Sequence, residues 1–396
     1  MSLTDTPNAN RLHITLFGRR NSGKSSLINA LTGQDIALVS NTPGTTTDLV
    51  SKAMEIQGIG PCLFIDTPGF DDEGELGELR ISRTLKAIEK TDIALLLCED
   101  TTFFHEKEIL ALLKEKNIPV IPVLNKIDIR ENSDHLATYI EEQCKIHPLL
   151  ISAKEKIGIE QIRQAILEKL PSDFGQQSIT GKLVTENDLV LLVMPQDIQA
   201  PKGRLILPQV QTIRELLDKK CLVMTCTTDK FSATLQALAR PPKLIITDSQ
   251  VFKAIYEQKP KESELTSFSV LFAGYKGDIH YYVESAAVIE RLTESSRVLI
   301  AEACTHAPLS EDIGRVKLPR LLRKRIGENL QIDMVAGTDF PQDLTPYSLV
   351  IHCGACMFNR KYVLSRIERA REQHIPMTNY GVAIAYLNGI LNQIEY

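Results

Sequence analysis

Short apolar runs recur along the chain, each closed by a polar or glycine-bearing turn and followed by a stretch with helical spacing. In the N-terminal part they are residues 12–17, then the apolar starts of "CLFIDTPG" (62–69), "VIPVLNKID" (120–128) and "LLISAK" (149–154). A run of this length bounded by turns fits a strand covered on both faces, and strands alternating with helices form parallel sheets. The middle repeats the pattern with "LVLLVMP", "CLVMTCT" and "KLIITDS", separated by stretches such as "PQVQTIRELLDKK". The C-terminal part repeats it again: "RVLIAEACTH", "LQIDMVAGTDFP" and "YSLVIHCGAC" read as strands running into polar loops, with helices expected over 318–326, 363–373 and 381–393. Residues 171–182 read as a linker, and 195–208 as a long Pro/Gly-rich surface connection. The pattern predicts an α/β chain of three domains, 1–174, 175–265 and 266–396, each a mainly parallel sheet flanked by helices, the first a P-loop domain.

The turns after the first series carry chemistry. "GRRNSGKSS" (18–26) lies between a strand and a helix, the context that a phosphate-binding loop requires. Gly18 and Gly23 let backbone N–H groups of Asn21, Ser22 and Ser26 wrap phosphate oxygens, Lys24 brings a cation to the β- and γ-phosphates, and Ser25 offers a hydroxyl to Mg²⁺; the helix N-terminus adds its positive end. Asp66 and Gly69, in the D-x-x-G turn, suit the Mg²⁺ shell and γ-phosphate sensing. Asp128, in N-K-x-D, accepts two hydrogen bonds from a guanine edge, which adenine cannot supply. Asn125 and Lys126 support the base and its loop, and Ser152, Ala153 and Lys154 supply backbone that closes over the base. Four motifs in order at strand ends point to a GTPase that binds GTP and GDP.

Composition narrows the rest. At 396 residues the chain has the length of about two to three domains. A net charge of −5 argues against a chain built to coat nucleic acid. No apolar run is long enough to span a membrane and no signal segment is visible, so a cytoplasmic protein is expected. Eight cysteines in a reducing compartment do not read as disulfides. Five sit singly in apolar surroundings, as small buried hydrophobes do. The other three, Cys304, Cys353 and Cys356, keep company with His306 and His352. Parallel strands bring their C-terminal loops to one sheet edge, so these residues are expected to converge. A redox dithiol uses only the Cys353–Cys356 pair. Structural zinc on a Cys₃His set and an iron–sulfur cluster on three thiolates both account for all three cysteines, the cluster leaving one iron position to another ligand. Zinc usually stabilises small domains that lack a large core, which this one does not need.

Two resemblances add to this. "NTPGTTTD" (41–48) resembles switch I of the bacterial tRNA-modification and ribosome-assembly GTPases, which implies Thr46 as a Mg²⁺ ligand, Asn21 as a support for K⁺, and K⁺-stimulated hydrolysis. Phe70 follows Gly69 where Ras-like enzymes carry the glutamine that orients water, so slow turnover is expected, with the nucleotide as a timer. A G domain followed by "QAPKGRLILPQVQTIRELLD", Cys304-x-His306 and His352-Cys353-x-x-Cys356 is similar, over nearly the whole chain, to the [FeFe]-hydrogenase maturation GTPase family, HydF. That resemblance implies a [4Fe–4S] cluster on the three cysteines with an exchangeable fourth position. It implies a homodimer formed through the middle domain. It further implies that the chain receives a transient di-iron precursor from radical-SAM enzymes and delivers it to apo-[FeFe]-hydrogenase. Whether His306 or His352 ligates or only hydrogen-bonds is left open, and Asp339 is an alternative ligand. Residues 315–325, rich in Arg and Lys, fit a solvated helix face or a surface for an acidic partner or an anionic iron precursor. The competing reading is an RNA- or ribosome-associated K⁺-dependent GTPase with structural zinc.

Overall fold

The computed structural model describes residues 6–33, 50–69, 83–100, 103–171, 174–175, 177–195, 205–303 and 313–396. The chain forms two compact units, Met1–Gln176 and Gln177–Tyr396.

The first unit is built on a six-stranded sheet. Its strands are β1 (Leu12–Gly18), β2 (Val50–Ile56), β3 (Gly60–Asp66), β4 (Ile93–Cys98), β5 (Val120–Leu124) and β6 (Leu149–Leu150), in the order β2-β3-β1-β4-β5-β6. All pairs are parallel except β2–β3, an antiparallel hairpin. The continuous apolar runs are explained by two cores. Ile93, Leu95 and Leu97 enter one cluster with Leu12, Ile14 and Leu16; Ala94, Leu96 and Cys98 enter the other with Phe17. A strand with a core on each face has no polar side to alternate with.

The second unit holds two four-stranded sheets, all parallel. One runs β10-β9-β7-β8, from β7 (Leu189–Val193), β8 (Leu222–Cys226), β9 (Leu244–Thr247) and β10 (Glu264–Ser267). The other runs β12-β11-β13-β14, from β11 (Arg297–Glu302), β12 (Gln331–Ala336), β13 (Leu349–His352) and β14 (Met377–Asn379). The expected boundary after residue 265 falls within β10. The helix that follows, Phe268–Lys276, is capped by the Ser267 hydroxyl accepting from Val270 N at 3.2 Å. A single apolar cluster unites Leu191, Val193 and Ile245 of one sheet with Leu299, Ala301 and Val350 of the other, through Val270 and Ala273 of that helix.

Three details depart from the pattern reading. Residues 178–180 are anchored rather than free: Ser178 Oγ, Ile179 N, and Thr180 N and Oγ1 all donate to the Glu215 carboxylate at 2.5–2.8 Å. The expected helix 381–393 is Tyr380–Leu387, broken near Gly389 at φ 71° before a short 3-10 turn. β8, on the edge of its sheet, is half open, with Leu222 51% and Met224 40% exposed. The helices expected over 318–326 and 363–373 are Leu318–Ile326 and Arg360–Glu372.

Candidate functional site

In the first unit the chain leaves β1 for strands on opposite sides, β3 and β4. That is the switch point where open α/β sheets place their ligands, at the carboxyl ends of the strands. The loop from Gly18 to helix Lys24–Thr32 lies there. Asn21, exposed at φ 63°, and Gly23 at φ 88° both take the left-handed conformation. A Cβ on Gly23 would strike Asn125 Nδ2, so only glycine fits. Lys24 Nζ donates to Gly18 O at 2.9 Å and Arg19 O at 2.7 Å, folding the loop into a ring. Ser22 is buried and its hydroxyl has no hydrogen-bond partner among the described residues, while Ser26 is exposed.

The register Leu16↔Asp66 carries the end of β3 to the same place. Ser25 Oγ donates to Asp66 Oδ2 at 2.6 Å, while Asp66 Oδ1 is buried without a partner among the described residues. Burial pushes the Asp66 carboxyl above its usual range, against the Ser25 hydrogen bond and the Lys24 charge. A hydroxyl beside a buried carboxylate oxygen with no donor is a fitting pair for a hard cation such as Mg²⁺. Gly69 closes the described part of the turn after β3; Thr46 and Phe70 lie outside the described residues.

The base-reading residues are tied to the phosphate loop. Asn125 Nδ2 donates to Ser22 O at 3.0 Å, and its Oδ1 accepts from Ala153 N at 3.0 Å. Lys126, at φ 64°, pairs with Glu99 at 2.9 Å. Asp128 is exposed, accepts from Ser152 Oγ at 2.6 Å, and is held below the usual carboxylate range chiefly by that bond. Lys154 is exposed beside it.

The second unit has a matching switch point: from β11 the chain goes to β12 on one side and then to β13 on the other. Ala301 pairs with His352, and Ala303 N donates to Cys353 Sγ at 3.0 Å. Ala355 N points at the same sulfur, 3.4 Å away. Burial pushes the Cys353 thiol up to about 11, with the two N–H bonds opposing it. Cys353 and Cys356 share one short loop in which Ala355 takes φ 50°. Cys304 and His306 lie outside the described residues, and among the described residues no three His, Cys, Asp or Glu side chains gather as a metal group. Asp339 is exposed past the end of β12.

His352 is fully buried with both ring nitrogens engaged. Its Nδ1 lies 2.8 Å from Cys353 O, and Nε2 lies 2.8 Å from Arg366 NH1. Since Arg366 can only donate, Nε2 accepts and Nδ1 carries the proton. Burial, then the Arg366 charge, holds the ring neutral, with its pKa down to about 3. To ligate a metal, this imidazole would have to release Arg366 or its own neighbour's carbonyl.

Two residues around this loop escaped the sequence reading. Lys276 donates to Ala355 O (3.1 Å), Cys356 O (3.2 Å) and Phe358 O (2.6 Å), and burial brings its pKa down to about 8. Arg366 lies among the rings of Phe340, Phe358 and Tyr362, 4.6–4.8 Å from their centres. The one available signal was a lone lysine closing the apolar helix "FSVLFAGYK". Part of the basic stretch is neutralised: Arg315 meets Glu302 at 3.3 Å and Arg325 meets Glu290 at 2.6 Å.

Comparison with known proteins bears on both units. Residues 13–126 match the family model described as "50S ribosome-binding GTPase". Residues 179–277 match the "Hydrogen maturase F dimerization domain" and 280–394 the "Hydrogen maturase F tetramerization domain", together more than half of the chain. Similar curated proteins include the tRNA modification GTPase MnmE of Dechloromonas aromatica, 39% identical over 159 residues, covering 39% of this chain and 34% of that protein. MnmE of Pseudothermotoga lettingae is 34% identical over 220 residues, covering 52% of this chain and 47% of that one. The chain thus spans less than half the length of these relatives. Among solved structures, a probable GTP-binding protein engB is 26% identical, covering 40% of this chain and 97% of that chain, with a TM-score of 0.33. The G domain of the T. maritima FeoB iron transporter is 25% identical, covering 40% and 98%, also with a TM-score of 0.33. The first unit is a GTP-hydrolysing domain of the P-loop class, and with both maturase domains in the second, the chain belongs to the hydrogen maturase F family.

Proposed function

We propose that the chain is a GTP-hydrolysing scaffold that receives a di-iron precursor and delivers it to apo-[FeFe]-hydrogenase, holding a [4Fe–4S] cluster on Cys304, Cys353 and Cys356. The observation that carries this is the Ala303 N–H directed at Cys353 Sγ. It sets the residue before Cys304 against the Cys353–Cys356 loop, at the switch point of a sheet whose sequence belongs to the maturase family. N–H donors aimed at a sulfur favour its thiolate, the form that binds iron. The cluster would supply an iron site open to an exchangeable ligand. His352, engaged on both nitrogens, acts by orienting the Cys353 carbonyl.

In the G domain, Ser25, Thr46 and Asp66 would hold Mg²⁺, which would supply neutralisation of phosphate charge; Lys24 leaves Gly18 O and Arg19 O for the β- and γ-phosphates; Asp128 reads guanine; and Asn21 would support K⁺. With Phe70 in place of a water-orienting glutamine, turnover is slow and K⁺-stimulated. Homodimers form through the uncovered β8 face, where Leu222 and Met224 are exposed.

The test is anaerobic purification with iron, sulfide and zinc analysis, followed by activation of apo-hydrogenase in the presence of the radical-SAM partners. The expected result is a brown protein whose colour and activating power are lost on Cys304→Ser, Cys353→Ser or Cys356→Ser while GTP binding persists. A colourless protein that holds zinc and activates nothing would sink the proposal.

A further inference from the structure

Two cations lie buried beside the Cys353–Cys356 loop, and among the described residues neither has a carboxylate partner. Lys276, 2% exposed, reaches from helix Phe268–Lys276 and spends its three donors on the carbonyls of Ala355, Cys356 and Phe358. Arg366, 1% exposed, reaches from helix Arg360–Glu372 and lies over the Phe358 ring. It donates to His352 Nε2 at 2.8 Å and to Gly337 O at 2.6 Å, with aromatic rings over its guanidinium. Carbonyls and rings solvate a cation but do not cancel its charge.

Burying an uncompensated charge is costly, and cores that retain one normally pair it. Two such charges around a loop of a few residues therefore call for an anion in that loop. The one acid-capable pair there is Cys353 and Cys356, and thiols become anionic when they bind metal.

We propose that Lys276 and Arg366 are positioning residues whose fixed positive charges match the site to an anionic, thiolate-bound iron–sulfur cluster and favour its reduced state. This rests on the cluster reading above. Each electron added makes the occupant more negative, so a nearby fixed cation stabilises the reduced form more than the oxidised one. The two residues enter from different helices: Lys276 also fixes the loop's path through its carbonyls, and Arg366 also fixes the His352 ring.

The experiment compares Lys276→Gln and Arg366→Gln with the charge-keeping Lys276→Arg and Arg366→Lys, each in the full-length chain with its cluster reconstituted. The readouts are iron per chain and the midpoint potential from a redox titration followed by electron paramagnetic resonance. Each glutamine variant is expected to favour oxidation about tenfold at a fixed applied potential, a midpoint lower by about 59 mV for a one-electron couple, with most of the shift recovered in the charge-keeping partner. Loss of iron in the glutamine variants but not in the charge-keeping ones would support the same conclusion. Full iron loading with an unchanged midpoint overturns it. Iron loss in the neutral and charge-keeping forms alike overturns it too, because packing rather than charge would then be at work. Wild-type protein that takes up no cluster defeats the underlying reading instead.

Discussion

The phosphate loop and the Cys353–Cys356 loop solve one problem in two ways. Both follow a parallel strand at a switch point, both contain a non-glycine residue in the left-handed region, and both have their carbonyls gathered by a buried lysine. In the first, Lys24 belongs to the helix the loop feeds, and its targets Gly18 O and Arg19 O are a few residues away. In the second, Lys276 comes from a helix about 80 residues earlier, in the segment matching the dimerisation model. The first loop is thus a local device that folds with its own strand and helix. The second depends on the packing of two sheets against one helix.

Perturbing each loop sharpens that contrast. The largest effect is expected for Lys24→Ala, which removes a cation from the phosphates. GTP turnover should fall about a hundredfold or more, with thermal unfolding of the second unit unmoved. Next is Asp128→Asn, which leaves the guanine edge a mismatched partner. Competition binding of guanine against adenine nucleotides should show discrimination reduced about a hundredfold, a retained preference being the contrary result.

Asp66→Asn is expected to act in opposite directions on activity and stability. A carboxyl raised by burial binds its proton more readily in the folded state, so ionisation at neutral pH works against folding. The asparagine variant should therefore melt higher than wild type near pH 7 in nucleotide-free protein, with the gap closing as pH falls through the carboxylate range. Mg²⁺-dependent turnover should be lost. An unchanged melting profile across pH would contradict the burial argument.

Effects on stability without a change in charge come from backbone conformation. Gly23→Ala meets both a left-handed φ and Asn125, and should cost about 1–3 kcal/mol by denaturant unfolding. Ala355→Gly relieves a left-handed alanine and should change stability by about 1 kcal/mol or less, in either direction. Equal costs at the two sites would remove the distinction between a sterically sealed loop and a merely strained one.

This locality also explains what the sequence could disclose. The G domain was legible because each motif sits within a few residues of its strand end, and the covered strands β1 and β5 are continuous apolar runs. The third sheet was legible through β11, β12 and β13, and their order brings the Cys353 loop beside Ala303 as the strand argument required. β10 and β14 were missed because they are only four and three residues long, partly polar, and specified by neighbours far along the chain. Lys276 and Arg366 were missed for the same reason: a buried cation looks like any other Lys or Arg until the groups that surround it are assembled. His352 was found as a residue, but its two hydrogen bonds depend on Arg366 and on the fold of the loop.

The apolar cluster shared by the two sheets of the second unit decides how that unit can be handled. The maturase matches meet between residues 277 and 280, which invites cutting the chain there to study each half alone. Such a cut would leave Val270 and Ala273 on one fragment and Tyr282 and Ala286 on the other, each stripped of the surface it now packs against. The halves are expected to aggregate when expressed apart, and the intact unit to melt in one cooperative step.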